Sequence, residues 1–91
     1  MAGRIKKIPT PEQKGKFTME FLGLAVKARR TQSGLRIDDA ASLCGVAKDT
    51  LMKIEHGRDT VQVASLLLVL QSLGIQLKML AWEESENEQW L

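Results

Sequence analysis

Between Lys48 and Arg58 the chain sets out Lys48, Asp49, Thr50, Met52, Lys53, His56 and Arg58 at short intervals. A lysine ammonium donates to guanine O6 and N7, a carboxylate accepts from cytosine N4, and a thioether meets the thymine methyl. A threonine hydroxyl suits a phosphate oxygen, and so do the His56 imidazole and the Arg58 guanidinium. Leu51 and Ile54 lie three residues apart and point together to the opposite side of a helix. The pattern predicts a short helix from Lys48 to His56, anchored by Leu51 and Ile54, with Lys48, Asp49, Met52 and Lys53 on its outer face. Catalysis has no comparable support: no nucleophile–base pair or phosphate loop is recognisable. One His and one Cys do not make the ligand set of a zinc site. A binding protein without cofactor or metal is expected, not an enzyme.

The neighbouring elements explain how such a helix is held. Ile37 to Cys44 reads as a second short helix with Ile37, Ala40, Ala41 and Cys44 on one face. Gly45 stands where a left-handed cap would end it. Two helices joined by a short Gly-containing turn form a helix-turn-helix, whose second helix enters a DNA groove. Asp38 and Asp39 fall in the first turn of the earlier helix, where its dipole favours anions. Cys44 occupies a core position and is read as packing. Upstream, Thr18 is a candidate cap for a helix running to about Gln32, with Leu22, Ala25 and Val26 on its inner side and Ser33-Gly34 ending it.

Downstream, Asp59-Thr60 are expected to cap a helix running to about Leu73. Its expected core stripe is Val63, Leu66, Leu67, Leu70 and Leu73, widened by Ala64, Leu68 and Val69. Gly74 breaks it. Ile75, Leu77, Met79 and Ala81 then alternate with other residues, which predicts a strand over 75–81. Nothing else reads as a strand, so the same strand of a second copy is the economical partner, giving a two-fold dimer. The expected fold is all-α: a compact four- to five-helix helix-turn-helix domain with one C-terminal strand for dimerisation.

The 91 residues allow one domain. Residues 1–16 read as a flexible basic arm, 17–74 as the helix-turn-helix domain, and 75–91 as a dimerisation strand and acidic tail. Ahead of Phe17 stand Arg4, Lys6, Lys7, Lys14 and Lys16 against Glu12 alone. Residues 82–91 hold Glu83, Glu84, Glu86 and Glu88 without Lys or Arg, so residues 1–81 carry 13 basic against 7 acidic groups. A basic body suits a polyanion, and the tail is expected to stay off it. Trp82, Trp90 and Leu91 are costly to leave in water and are candidate anchors for a protein partner. No apolar run is long enough to span a bilayer and no signal-peptide pattern opens the chain, so no membrane role and a cytoplasmic location, at the bacterial nucleoid, are expected.

The stretch Leu35-Arg36-Ile37-Asp38-Asp39-Ala40-Ala41-Ser42-Leu43-Cys44-Gly45-Val46-Ala47-Lys48-Asp49-Thr50-Leu51-Met52-Lys53-Ile54-Glu55-His56-Gly57 resembles the helix-turn-helix of the phage-repressor-like (Xre/Cro) family. That family reads roughly L-T-Q-x-x-L-A-x-x-x-G-V-S-x-x-T-I-S-x-x-E-x-G. Ala41, Gly45-Val46, Thr50, Ile54-Glu55 and Gly57 match without a gap. Arg36-Ile37 stand where the family has Thr-Gln, and Ala47 where it has Ser, which removes two usual caps and one polar DNA contact. The resemblance implies a lambda-repressor-like fold. It implies base reading at Lys48, Asp49 and Lys53; Ala47 and Met52 are further base-reading candidates beside them, and Arg36, Thr50, His56 and Arg58 are candidate phosphate contacts. The resemblance also implies an ion pair between Arg30 and Glu55.

The Leu-rich helix, the single strand and a polar tail closing on Trp90 resemble HipB-type antitoxins. That resemblance implies a homodimeric repressor of a palindromic double-stranded operator, held together through Ile75, Leu77 and Met79. It further implies a HipA-type kinase toxin as partner of Trp82, Trp90 and Leu91. An autonomous phage-like regulator and a helix-turn-helix protein-interaction module remain the alternatives.

Overall fold

Helix α1, Met19–Gln32, starts where Thr18 leaves the extended region and its hydroxyl accepts from the Phe21 amide at 3.1 Å. Glu20 in the first turn and Arg29 and Arg30 in the last complement the helix dipole. Helix α2, Ile37–Cys44, and helix α3, Lys48–Glu55, follow, and α4 is Val63–Ser72. The computed structural model describes residues 5–79, and these four helices are all the regular elements among the described residues.

Gly45 at φ 75° ends α2, with its amide bonded to Ser42 O and the Val46 amide reaching back to Ala41 O at 3.0 Å. A side chain would be strained there, so glycine makes the turn that points α3 away from α2. The same pair of bonds closes the other three helices.

α3 packs against α1 and α2, and α4 closes the far side against α2 and α3. Leu51, Ile54, Val26 and Val69 are the largest fully buried side chains. Ala40, Ala41 and Cys44 present a small-residue face, which lets α2 lie close to its neighbours. α1 approaches α3 more closely still. A Cβ placed on Gly23 would collide with Ile54 O and lie 2.8 Å from Glu55 O. Only glycine permits this contact between helix backbones.

Four expectations require correction. Asp59 and Thr60 do not cap α4: the helix starts at Val63 with Gln62 as cap and no side-chain capping bond. The chain first turns Val61 against the core, and this displaces the start. The core stripe of α4 is also rotated. Val63 is 69% exposed and Leu67 45%, whereas Val69 is fully buried. The helix meets α2 and α3 through the row Leu66, Val69, Leu70 and Leu73, and Val63 lies beyond the end of that contact.

Third, residues 75–79 form no strand, and positions 80 and 81 lie outside the described residues. A ladder needs a second row of backbone donors and acceptors, and the described residues of one chain offer none. Fourth, the arm is attached to the domain. The Ile8 amide donates to Thr31 Oγ1 at 3.0 Å, and Gln32 Nε2 donates to Ile8 O at 2.7 Å and to Thr10 Oγ1 at 3.1 Å. Ala28 and Thr31 are buried although neither belongs to the main core cluster, with the arm fastened over this side of α1.

Candidate nucleic-acid interface

The placement of α3 rests on Arg30 and Glu55. Arg30 Nε donates to Glu55 Oε2 at 2.6 Å and Nη2 to Oε1 at 3.0 Å, while Nη1 donates to Leu35 O at 2.9 Å. The two side chains are 11% and 5% exposed. One guanidinium therefore joins α1, the end of α3 and the turn before α2, and the bidentate geometry fixes orientation as well as distance. This is the ion pair the family resemblance implies.

With Leu51, Ile54 and Glu55 turned inward, Lys48, Asp49, Met52 and Lys53 are left exposed on α3, as the helical spacing requires. Ala47 is the exposed cap residue of the helix, and Thr50 is half-buried at its flank. His56 caps the C-terminal end, and His56 and Arg58 are both exposed. Arg36 is the exposed cap of α2 and makes no side-chain capping bond. The leading amides of α2 therefore have no intrahelical acceptor and carry the positive end of its dipole.

Two pairings escaped the sequence reading. Lys48 Nζ lies 3.0 Å from Asp38 Oδ1, which ties the head of α3 to the first turn of α2. Lys53 Nζ lies 3.3 Å from Asp49 Oδ2 one turn earlier. The second was legible as an i, i+4 spacing. The first depends on how the helices cross. All four side chains are well exposed, so each pair is weak and opens readily. Their effect is to orient the lysines and cancel their net charge at a distance. Arg36 and Arg58, at the flanks of α3, have no carboxylate partner among the described residues. Gly23 was also missed, although a glycine inside a helical pattern is itself a signal of close approach.

The proposed dimerisation residues divide. Ile75 packs on the core, whereas Leu77 is 52% and Met79 83% exposed. Leu77 and Met79 line a cleft of about 620 Å³ with Phe17 and Phe21, and a second hollow continues over Ile75 and Leu77 to Leu67. Contiguous exposed apolar surface of this kind marks a contact site. Trp82, Trp90 and Leu91 lie outside the described residues. Among the described residues no group of His, Cys, Asp and Glu is arranged to hold a metal, and no helix is long and apolar enough to cross a membrane.

Comparison with known proteins agrees with this geometry. A family model described as a helix-turn-helix domain matches residues 22–81. An uncharacterized HTH-type transcriptional regulator of Sinorhizobium fredii, y4mF, is 33% identical over 76 residues, covering 84% of this chain and 90% of that protein. Among solved structures, a chain of a HipA–HipB–O2–O3 complex superposes with a TM-score of 0.66 at 21% identity, over 78% of this chain and 100% of that one. The restriction-modification controller protein C.AhdI of Aeromonas hydrophila superposes with a TM-score of 0.56 at 24% identity, over 64% of this chain and 84% of that one. At these identities the two structures bear on the fold alone. The family match and the Sinorhizobium relative carry the assignment: the chain belongs to the helix-turn-helix domain family and is a transcriptional regulator of the helix-turn-helix type.

Proposed function

We propose that the chain is a homodimeric repressor that reads a palindromic operator with α3 and serves as the antitoxin of a HipBA-like module. The observation that carries the DNA reading is the outer face of α3. Lys48, Asp49, Met52 and Lys53 stand exposed there beside the open N-terminus of α2. Lys48 and Lys53 are the base donors, and Asp49 and Met52 discriminate cytosine and thymine. Ala47 lies at the head of the same face. Arg36, Thr50, His56 and Arg58 hold the backbone. The protein works by binding rather than catalysis, in the bacterial cytoplasm at the nucleoid. Two copies join through the apolar surface of Ile75, Leu77 and Met79. The antitoxin reading draws on the fold shared with a chain from a HipA–HipB complex and on Trp82, Trp90 and Leu91 as anchors for a kinase toxin.

A footprint on the DNA upstream of its own coding sequence tests the operator. Two inverted half-sites about one helical turn, or a small multiple, apart are expected. A single half-site bound by a monomer would overturn the dimer. Deleting residues 83–91 should leave operator binding intact and weaken binding to the kinase encoded beside it. An unchanged kinase affinity, or no such kinase, favours a second reading, an autonomous regulator, for which the fold shared with a restriction-modification controller speaks.

A further inference from the structure

The outer face of α3 is close to electrically balanced, because Asp38 stands 3.0 Å from Lys48 and Asp49 3.3 Å from Lys53. Attraction to a phosphate backbone must then come from cations beside that face. The basic arm supplies two of them, and the clasp on α1 determines where they lie. Ile5 and Ile8 are half-buried while Lys6 and Lys7 between them are exposed, with no carboxylate partner among the described residues. Gln32 and Thr31 hold Ile8 by both its carbonyl and its amide. Gln32 is the last residue of α1, and Arg36, the cap of α2, follows four positions later. Asp38, in the first turn of α2, touches Lys48, the first residue of α3. The clasp therefore sits at the end of α1 that leads into the open end of α2, and α2 is tied in turn to the head of α3. Lys7 and Lys6 precede the clasped residue by one and two positions, which keeps them within about 7 Å of it along the backbone.

We propose that Lys6 and Lys7 form a phosphate clamp, held in place by the Gln32–Ile8 clasp, that grips the DNA backbone beside the half-site read by α3. Its role rests on the DNA-binding function proposed above. A free arm would lose conformational entropy each time it settled on DNA. A clasped arm has lost it already on folding, so its charges act at full strength on binding. The clamp reads no base, so it strengthens operator and random DNA alike.

The test measures binding of the full-length protein to its own upstream DNA and to a short random-sequence duplex over a range of salt concentrations. The proteins compared are the unmodified chain, Lys6→Gln/Lys7→Gln, Gln32→Ala and the triple variant. Both lysines are exposed, so the double variant retains the fold. It should lower the slope of log K against log salt by roughly 1.8 for each bound protomer, two phosphate contacts' worth, and so by roughly 3.6 for the dimer, on both duplexes. Gln32→Ala should weaken binding with all the charges present, and should add nothing in the triple variant. A slope unchanged by the double variant overturns the clamp. A Gln32→Ala effect of equal size with and without the lysines overturns the clasp's part in it. If the unmodified protein binds neither duplex, the DNA-binding function fails, and the clamp with it.

Discussion

Arg30 and Glu55 meet through two parallel hydrogen bonds, Nε to Oε2 at 2.6 Å and Nη2 to Oε1 at 3.0 Å, although 25 residues separate them in sequence. Removing either partner leaves the other charge nearly buried and unpaired, which costs roughly 3–5 kcal/mol. Glu55→Ala and Arg30→Ala should each lower the melting temperature markedly. The double variant should be less damaging than the sum, because the orphaned charge is gone. Melting temperatures unaffected by both single changes would mean that the pair does not hold α3.

Gly23→Ala should destabilise the domain although alanine is the better helix former by about 1 kcal/mol. The added methyl meets Ile54 O and Glu55 O, and backbone cannot step aside as a side chain can. Overpacking of this kind costs about 1–3 kcal/mol. Thermal or urea unfolding would measure it, and a variant as stable as the parent would mean that α1 and α3 do not approach so closely.

Lys53→Ala and Arg58→Ala should separate reading from positioning. Loss of Lys53 should weaken operator binding by roughly 1–3 kcal/mol and relax the preference at one base position. Loss of Arg58 should weaken operator and random DNA alike and reduce the salt slope by roughly 0.9 for each bound protomer. Titrations in which the two variants behave identically on both DNAs would refute this division of labour.

Cys44 gives a pH signature. Burial pushes its thiol above the ordinary value of 9.0, with a hydrogen bond to Ser72 opposing the shift in part. The folded state therefore holds the proton more tightly than the unfolded chain does. Stability from this group is fully present below pH 9.0 and is lost as pH rises through the higher folded value. Unfolding free energies at neutral and alkaline pH should show a decline that Cys44→Ala lacks. The native thiol should also react slowly with alkylating reagents. Equal alkaline decline in both proteins would assign the loss to other groups.

Much of this architecture follows from residues close together along the chain. The Thr18 cap, the Gly45 turn and the inward rows Leu22–Val26 and Leu51–Ile54 are local, since cap, turn and helical period each involve neighbours within a turn or two. For the same reason the exposed face of α3, the candidate interface, was legible from spacing alone. Glu55 was legible as one half of an ion pair only through the family resemblance, because no local rule links it to Arg30. Contacts between distant segments had to wait for the folded chain. Which row of the nearly all-apolar α4 is buried depends on where α2 and α3 lie against it, so Val69 went inside while Val63 and Leu67 stayed out. The docking of the arm on α1 joins residues 23 apart, Ile8 and Thr31, through ordinary polar side chains whose types do not announce a partner. The alternation at Ile75, Leu77 and Met79 is a real pattern, but alternation supplies only a face. A strand exists when another backbone meets its hydrogen bonds, and among the described residues none does.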